Sequence, residues 1–254
     1  MVNFFLRVYS SSAIAPICDL AISYYLFKGL TLDDVGIYSQ LSAYLIFALV
    51  FFDGQLSTLL IRICGGKGNR FVLALKSVVS QRANALAFGV LLVFIGFFIQ
   101  SEFICLYIMM TVISLLSVAD TPLLSYLRVQ LRNSLANLIN GLNGILRLLG
   151  VFVVTSIYEL NILFFVIGLL IAKFIYFIVV FWLVFPKLKK EKKTSKTAVS
   201  LLDGIEQRSF MVASGISAIE NRIDWFIIGL LIGPKQLAVY ALANKVFEFS
   251  KMVI

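Results

Sequence analysis

The chain lacks histidine altogether, and only 13 of its 254 residues are acidic. Enzymes depend on acid/base or metal-binding groups gathered at an accessible surface, so this scarcity argues against an enzyme and against a bound metal or other cofactor. The three cysteines, Cys18, Cys64 and Cys105, lie in or beside apolar runs without metal-ligand spacing, which argues against a disulfide framework. The amino terminus also lacks the pattern of a cleavable signal peptide, so we expect the first helix to remain in the mature protein.

Apolar residues, in contrast, are abundant. They make up 61% of the chain, the mean hydropathy is +0.99, and phenylalanine alone occurs 23 times. A soluble domain is only about 45–50% apolar, so the composition predicts a polytopic membrane protein. Lipid cannot satisfy backbone amides, and each span of about 20 residues must therefore be helical. The sequence predicts an all-α membrane helical bundle with spans at Ser11–Gly29, Ile37–Ile61, Ala83–Gln100, Phe103–Leu124, Leu135–Tyr158, Ile162–Phe185, Phe210–Ile232 and from Leu237 onward.

A lysine-rich linker divides the predicted helices into two blocks. Residues 1–186 are predicted to form a lobe of six helices, residues 187–208 a basic cytoplasmic linker, and residues 209–254 the incomplete start of a second lobe, helices seven and eight. The segment Thr31–Ser39 is echoed 202 residues later by Gly233–Ala241, which suggests a duplicated unit. Because six is an even number of spans, a duplication would give parallel repeats related by an axis along the membrane normal.

The basic residues predict the orientation of the chain in the membrane. Fifteen of the 22 lysines and arginines, Arg7 among them, lie on one side of the predicted spans. The loops on the opposite side hold only Lys28 and Lys235. By the positive-inside rule, the amino terminus is cytoplasmic. The net charge of +9 is thus a topology signal, and it does not require a nucleic-acid partner. The run Lys187–Lys193 is also suited to contact anionic membrane lipids.

Two predicted helices carry polar faces at membrane depth. On predicted helix five, Asn137, Asn140, Gly144 and Arg147 follow one another at steps of three or four residues, which places them on one side of a helix. Predicted helix four carries a parallel polar stripe of Ser114, Ser117, Thr121, Ser125 and Arg128. Such faces either line a hydrated cavity or hold neighbouring helices together. The sequence leaves both alternatives open.

Charged residues inside the predicted spans are the strongest functional signal. A charge at the bilayer centre costs about 2.5–3.5 kcal/mol on insertion scales and usually faces protein or water. Lys173 lies in the middle of predicted helix six, Asp19 in the middle of helix one, and Asp53 toward the cytoplasmic end of helix two. Ion pairing among these three residues and Arg147 would explain all four charges without a ligand. The other explanation is that they line a path for a polar substrate.

Three motifs resemble one family of membrane transporters. They are FDGQLSTLLIR (Phe52–Arg62), NGLNGILRLLG (Asn140–Gly150) and NRIDWFIIGLLIGPKQLAVYALANK (Asn221–Lys245). In their order and spacing the chain resembles the polysaccharide-export, O-antigen type branch of the multidrug/oligosaccharidyl-lipid/polysaccharide flippase superfamily. The family has two helical lobes, so the resemblance implies that this chain is one complete lobe plus the first two helices of the next, truncated at its carboxyl end.

The resemblance implies a carrier that moves an undecaprenyl-pyrophosphate-linked oligosaccharide across the bacterial inner membrane by alternating access. A pyrophosphate is a compact multiple anion that needs fixed cations in a cavity of low dielectric. Arg147 and Lys173 are the candidates for binding this headgroup, with Arg222 as a weaker third. Asn137 and Asn140 are the candidates for hydrogen bonds to sugar hydroxyls.

The resemblance also implies a possible coupling site and possible partners. Asp224 matches the helix-seven aspartate of the family motif, at which related flippases are thought to couple a cation, and Asp19 occupies the equivalent region of helix one. Expected partners are the glycan substrate, membrane lipids and other polysaccharide assembly proteins. Two alternatives remain open: a cation-coupled multidrug antiporter, whose cationic cargo requires acidic rather than basic residues in the cavity, and a membrane remnant that does not transport.

Overall fold

The computed structural model describes most of the chain. The described residues are 2–53, 56–64, 71–81, 83–99, 101–130, 133–158, 161–192, 212–213, 216–217, 220, 223–225, 227–229 and 231–253. The predicted linker beyond Lys192 and much of the predicted seventh span therefore lie outside them.

Every regular element in these ranges is helical. The α-helices are α1 (Val2–Gly29), α2 (Leu32–Asp53), α3 (Leu56–Cys64), α4 (Phe71–Gln81), α5 (Ala83–Ile99), α6 (Ile104–Val129), α7 (Asn133–Ile157), α8 (Ile162–Lys192) and α9 (Pro234–Val253), and a 3-10 turn at Ser101–Phe103 precedes α6. The predicted helical bundle is thus confirmed. The division into lobes at residues 186 and 208 stays a prediction.

Within the described ranges, three helices are long and apolar enough to cross a membrane. They are Ile104–Val129, Asn133–Ile157 and the Ile162–Pro186 part of α8, and they coincide with the predicted fourth, fifth and sixth spans. Their length and composition support a membrane protein. The predicted first, second, third and eighth spans correspond in position to α1, α2 with α3, α5 and α9, whereas the seventh lies largely outside the described residues. Membrane crossing by these five spans stays a prediction.

The region between predicted spans two and three differs from the expectation of a simple basic loop. Residues 71–81 form α4, and Phe71, Ala74 and Val78 on one of its faces are fully buried. These residues are spaced three and four positions apart and so form an apolar stripe on the helix. The stripe packs in one core cluster with Leu59 and Leu60 of α3. The lysine and arginine residues nearby indicated a loop, but this stripe holds the segment against the bundle.

Glycines bring α7 close to α8 and α1. A side chain on Gly150 of α7 would overlap the carbonyl oxygen of Gly168 on α8, and the Cβ of Gly168 would lie 2.7 Å from the carbonyl oxygen of Gly150. Six residues earlier on α7, Gly144 faces Ala15 and Cys18 of α1. Small residues permit such close backbone approach between membrane helices. They fix the distance between the helices that carry the charged residues described below.

Gly150→Leu is accordingly expected to destabilise the bundle. The added side chain has no space between α7 and α8, and overpacking of this kind costs about 1–3 kcal/mol. Thermal unfolding in detergent should show a lowered transition temperature. Ala87→Leu is the matched control, because Ala87 is an exposed position on helix α5 and should unfold like wild type. A Gly150→Leu protein as stable as this control would contradict the tight α7–α8 contact.

The two segments that echo each other in sequence lie against each other in the structure. Helix α2 begins at Leu32 and α9 at Pro234, which are equivalent positions 202 residues apart. Equivalent residues also meet: Asp33 and Lys235 form an ion pair at 3.4 Å. A Cβ on Gly36 would overlap Pro234. The first turns of α2 and α9 are therefore in contact, and the two helices begin at the same end of the bundle. The duplication and its symmetry axis stay a prediction.

Candidate substrate cavity

An ion pair joins α1 to α7 near the middle of both helices. Nη1 of Arg147 donates a hydrogen bond of 2.8 Å to Oδ1 of Asp19. The pair forms because Gly144, one turn before Arg147, packs directly on Cys18, the neighbour of Asp19. Both side chains keep substantial access to the surroundings, since 30% of the Arg147 side chain and 45% of the Asp19 side chain are exposed. The predicted pairing of Arg147 within the protein is thus observed, with Asp19 as its partner.

A second ion pair joins α6 to α8 and is almost completely buried. Nζ of Lys173 lies 2.5 Å from Oδ2 of Asp120, and the side chains are 4% and 8% exposed. The ammonium group also lies 4.9 Å from the centre of the Tyr176 ring, a cation–π distance. Pairing of Lys173 with Asp19 or Asp53 was one sequence-based explanation of its charge. Its observed partner is Asp120 instead.

Sequence reasoning missed Asp120 although a usable signal was present. Asp120 lies in the middle of a span, next to the serine and threonine stripe of α6, and its charge is opposite to that of Lys173. Charged residues at membrane depth usually pair with one another. An aspartate in one span and a lysine in another were therefore candidates for each other, but the sequence does not say that α6 and α8 are neighbours.

Two adjoining cavities open beside these charges. The first, of about 190 Å³, lies against Asp19, Ser39, Trp225 and Lys245, among other residues. The second, of about 220 Å³, is lined by Ser114, Ser117, Asn143 and Lys173, among others. Tyr38, Ser42, Ile46 and Arg147 line both cavities. Arg147 therefore stands at the border between them.

The charged lining of the two cavities is mainly basic. In the described part of the chain it consists of three basic side chains, Arg147, Lys173 and Lys245, and one acidic side chain, Asp19. Lys245 of α9 was not singled out from the sequence. Its position on the first cavity depends on the packing of α9 against α2, which the sequence pattern does not specify. Because Asp120 pairs with Lys173 outside the lining, the excess positive charge of the described lining comes from Arg147 and Lys245, and it favours an anionic over a cationic ligand.

The polar stripe of α6 has two different roles. Ser114 and Ser117 line the second cavity. Further along the helix, Ser125 is fully buried and its hydroxyl donates to the carbonyl oxygen of Thr121. Bonds of this kind satisfy a hydroxyl within its own helix. Both sequence-based alternatives, cavity lining and burial between helices, therefore apply to different parts of the stripe.

The two asparagines expected to contact sugar lie away from the cavities. Asn140 is exposed, Asn137 is half-buried, and neither is among the residues that line the two cavities. Asn140 does share a face with Arg147, but at 1.5 Å per residue it lies about 10 Å along the helix axis. Their binding of sugar stays a prediction.

Asn143, a residue beside that face, does line the second cavity. Its Oδ1 atom is buried and has no hydrogen-bond partner within the described residues. Buried polar atoms are nearly always paired, so an unpaired one at a cavity wall requires an explanation. Because this atom is closed to solvent, the amide has to rotate before a ligand hydroxyl in the second cavity can donate to it.

Asp224 is held by its own surroundings. The Trp225 backbone N–H donates to its Oδ1 atom at 2.8 Å, and the Tyr240 hydroxyl donates to its Oδ2 atom. These contacts attach the segment before α9 to α9 itself, and Trp225 borders the first cavity. Cation coupling at Asp224 stays a prediction, and Arg222 lies outside the described residues.

Of the sequence-predicted site residues, the structure brings together Arg147, Lys173 and Asp19.

Comparison of the chain with protein-family models, curated proteins and solved structures found no significant match. The functional assignment therefore depends on the cavity and its charges, with the motif resemblance as a separate indication.

Proposed function

We propose that the protein carries an anionic, lipid-linked glycan, an undecaprenyl-pyrophosphate-linked oligosaccharide, across the bacterial inner membrane. One observation carries the proposal: among the described residues, the two adjoining cavities share Arg147 and are lined by three basic side chains and one acidic one, and Asp120, the partner of Lys173, lies outside that lining. A group with several negative charges gains most from such a lining, because charges interact more strongly in a cavity of low dielectric than in water. The motif resemblance to polysaccharide-export flippases points to the same class of cargo.

In this proposal Arg147 binds the pyrophosphate headgroup. A guanidinium group has five N–H donors in a fixed fork, and it can bind a phosphate through two of them at once. Within the described part of the chain, Arg147 uses one such donor for Asp19. Lys173 borders the second cavity, but its ammonium group stays bonded to Asp120, whose negative charge largely cancels its own. Arg147 is therefore the principal headgroup residue of the proposal.

Asn143 is the better candidate for a sugar contact than Asn137 or Asn140. It shares the second cavity with Arg147 and Lys173, so a sugar attached to a bound pyrophosphate lies within its reach. Rotation of its amide would offer the unpaired Oδ1 to a sugar hydroxyl donor. In this proposal the two cavities hold the headgroup region of the cargo rather than the whole glycan. A carrier also has to open alternately to each side of the membrane.

The proposal predicts that the protein binds a negatively charged ligand more tightly than a neutral one with the same apolar tail. We would measure binding of radiolabelled farnesyl pyrophosphate, a short isoprenyl pyrophosphate, to the purified chain in detergent. Unlabelled farnesyl pyrophosphate should compete at least roughly tenfold better than neutral farnesol, a difference of about 1.4 kcal/mol. Equal competition by farnesol would show that only the apolar tail is bound and would reject the headgroup site.

A cation-coupled multidrug antiporter is the second candidate, and one observation favours it. Asp19 lines the first cavity, and its side chain is more exposed than that of Arg147. If Asp19 is the substrate-binding group, tetraphenylphosphonium should bind to the purified chain and Asp19→Asn should lose that binding. Absence of tetraphenylphosphonium binding would leave the anionic cargo as the better assignment.

Transport from the cytoplasmic face requires the orientation that the basic residues predict. Single cysteines at Asp33 and Glu102 should react from outside intact cells with a membrane-impermeant maleimide, in a background without the three native cysteines. A cysteine at Lys193 should react only after the membrane is opened. Labelling of the Lys193 site in intact cells would reverse the orientation and with it the proposed direction of transport.

A further inference from the structure

The two ion pairs differ in their access to a ligand. Asp19 and Arg147 both line the first cavity and are 45% and 30% exposed, whereas Lys173 and Asp120 are 4% and 8% exposed. A ligand that enters the first cavity can reach the Arg147–Asp19 contact directly. Removing Asp120 from Lys173 would leave an almost fully buried carboxylate without its partner, which is strongly unfavourable. Exchange of partners is therefore feasible at Arg147 and unfavourable at Lys173.

The geometry of the contact between Arg147 and Asp19 also allows a ligand to take the place of Asp19. Among the described residues, one hydrogen bond, from Nη1 to Oδ1 at 2.8 Å, joins the two side chains. A phosphate group can accept two hydrogen bonds from the same guanidinium group, and a pyrophosphate carries more negative charge than one carboxylate. The displaced Asp19 side chain faces the cavity, so water can hydrate its carboxylate after it leaves Arg147.

From these observations we infer that Asp19 competes with the headgroup for Arg147. Its carboxylate binds the guanidinium group while the cavity is empty, and the entering pyrophosphate displaces it. The inference builds on the proposed function and assigns a specificity-determining role to Asp19. The empty cavity then contains no uncompensated arginine. Competition by Asp19 also weakens binding of the headgroup, which favours its release after translocation. Small monovalent anions gain too little from Arg147 to displace the carboxylate.

Binding of farnesyl pyrophosphate to purified variants tests this role. Asp19→Asn removes the negative charge with little change in shape, and we expect binding about tenfold tighter than in wild type, a change of the order that a single displaced ion-pair contact produces. Asp33→Asn is the matched control, because Asp33 also pairs with a basic residue, Lys235, but lies outside the described lining of both cavities. The control should bind like wild type.

The tightening must act through Arg147. In an Asp19→Asn background, Arg147→Ala should remove the gain and reduce binding below the wild-type value. Asp19→Ser removes the same charge with a different side chain, and at least one of the two replacements must give a folded protein with tighter binding. Thermal unfolding in detergent identifies the folded variants. Binding equal to or weaker than wild type in the folded Asp19 variants would overturn the inference.

The outcome for this inference can be separated from the outcome for the proposed function. If Arg147→Ala loses binding while the Asp19 variants bind like wild type, Arg147 is a headgroup residue and Asp19 is not its competitor. If Arg147→Ala binds farnesyl pyrophosphate as wild type does, the headgroup site itself is wrong. Tighter binding in Asp19→Asn that persists without Arg147 would indicate a general electrostatic effect and would also overturn the competitor role.

Discussion

Arg147→Ala is expected to abolish binding of farnesyl pyrophosphate while the protein remains folded. The guanidinium group is the one basic group that lines both described cavities, and its loss removes both the charge and the paired donors. Arg147→Lys should retain part of the binding, because an ammonium group still attracts phosphate but lacks the planar fork. The measurement is competition binding in detergent, combined with thermal unfolding of each variant.

Arg128→Ala is the matched control for this replacement. Arg128 is a half-buried arginine of α6 whose Nη1 donates to the Ser57 hydroxyl at 3.4 Å, and it lies outside the described lining of the cavities. Its replacement should leave binding unchanged. Loss of binding in Arg128→Ala to the same degree as in Arg147→Ala would mean that any lost arginine disturbs the bundle, and the assignment of Arg147 would fail.

The ion pair with Asp19 allows a purely structural explanation of Arg147 to be tested. If Arg147 served only to neutralise Asp19, Arg147→Ala would leave a carboxylate without its partner and lower the stability and membrane abundance of the protein. Asp19→Asn in addition would then restore both. The proposed headgroup role requires instead that the double variant stays unable to bind the pyrophosphate. A double variant that binds normally would rule out headgroup binding by Arg147.

Lys173→Met is expected to cause the largest loss of stability. The replacement leaves the Asp120 carboxylate, which is 8% exposed, without the ammonium group that neutralises it. Breaking a buried ion pair by removing one partner costs about 3–5 kcal/mol. Unfolding in detergent should show this loss, and membrane abundance should fall with it. Asp120→Asn in the Lys173→Met protein should recover a large part of the stability, because the buried charge is then absent.

The exposed ion pair between Asp33 and Lys235 is the control for this prediction. Its side chains are 51% and 64% exposed and its atoms lie 3.4 Å apart, and exposed pairs contribute about 1 kcal/mol or less. Lys235→Met should therefore change the stability only slightly. A Lys173→Met protein as stable as Lys235→Met would show that Lys173 and Asp120 do not form a buried pair.

The sequence by itself determined the class of the protein and the location of its unusual residues. Apolar runs of about 20 residues specify membrane helices, because the hydrocarbon core leaves a spanning backbone few other ways to form its hydrogen bonds. The ends of α7 at Asn133 and Ile157 differ from the predicted Leu135 and Tyr158 by two residues or fewer. Charges such as Lys173 and Arg147 are evident against these runs, because so few charged residues occur at membrane depth.

The tertiary structure decided which of these residues meet. Asp120 and Lys173 are 53 residues apart, and their contact depends on the packing of α6 beside α8. Asn143 rather than Asn140 faces a cavity because glycines fix the rotation and the separation of α7 against α1 and α8. Helical periodicity states which residues share a face, but the partner of that face follows from close packing with other helices. The sequence therefore indicated Arg147 and Lys173. Only the folded bundle revealed that their carboxylate partners differ in exposure, with Asp19 accessible and Asp120 buried.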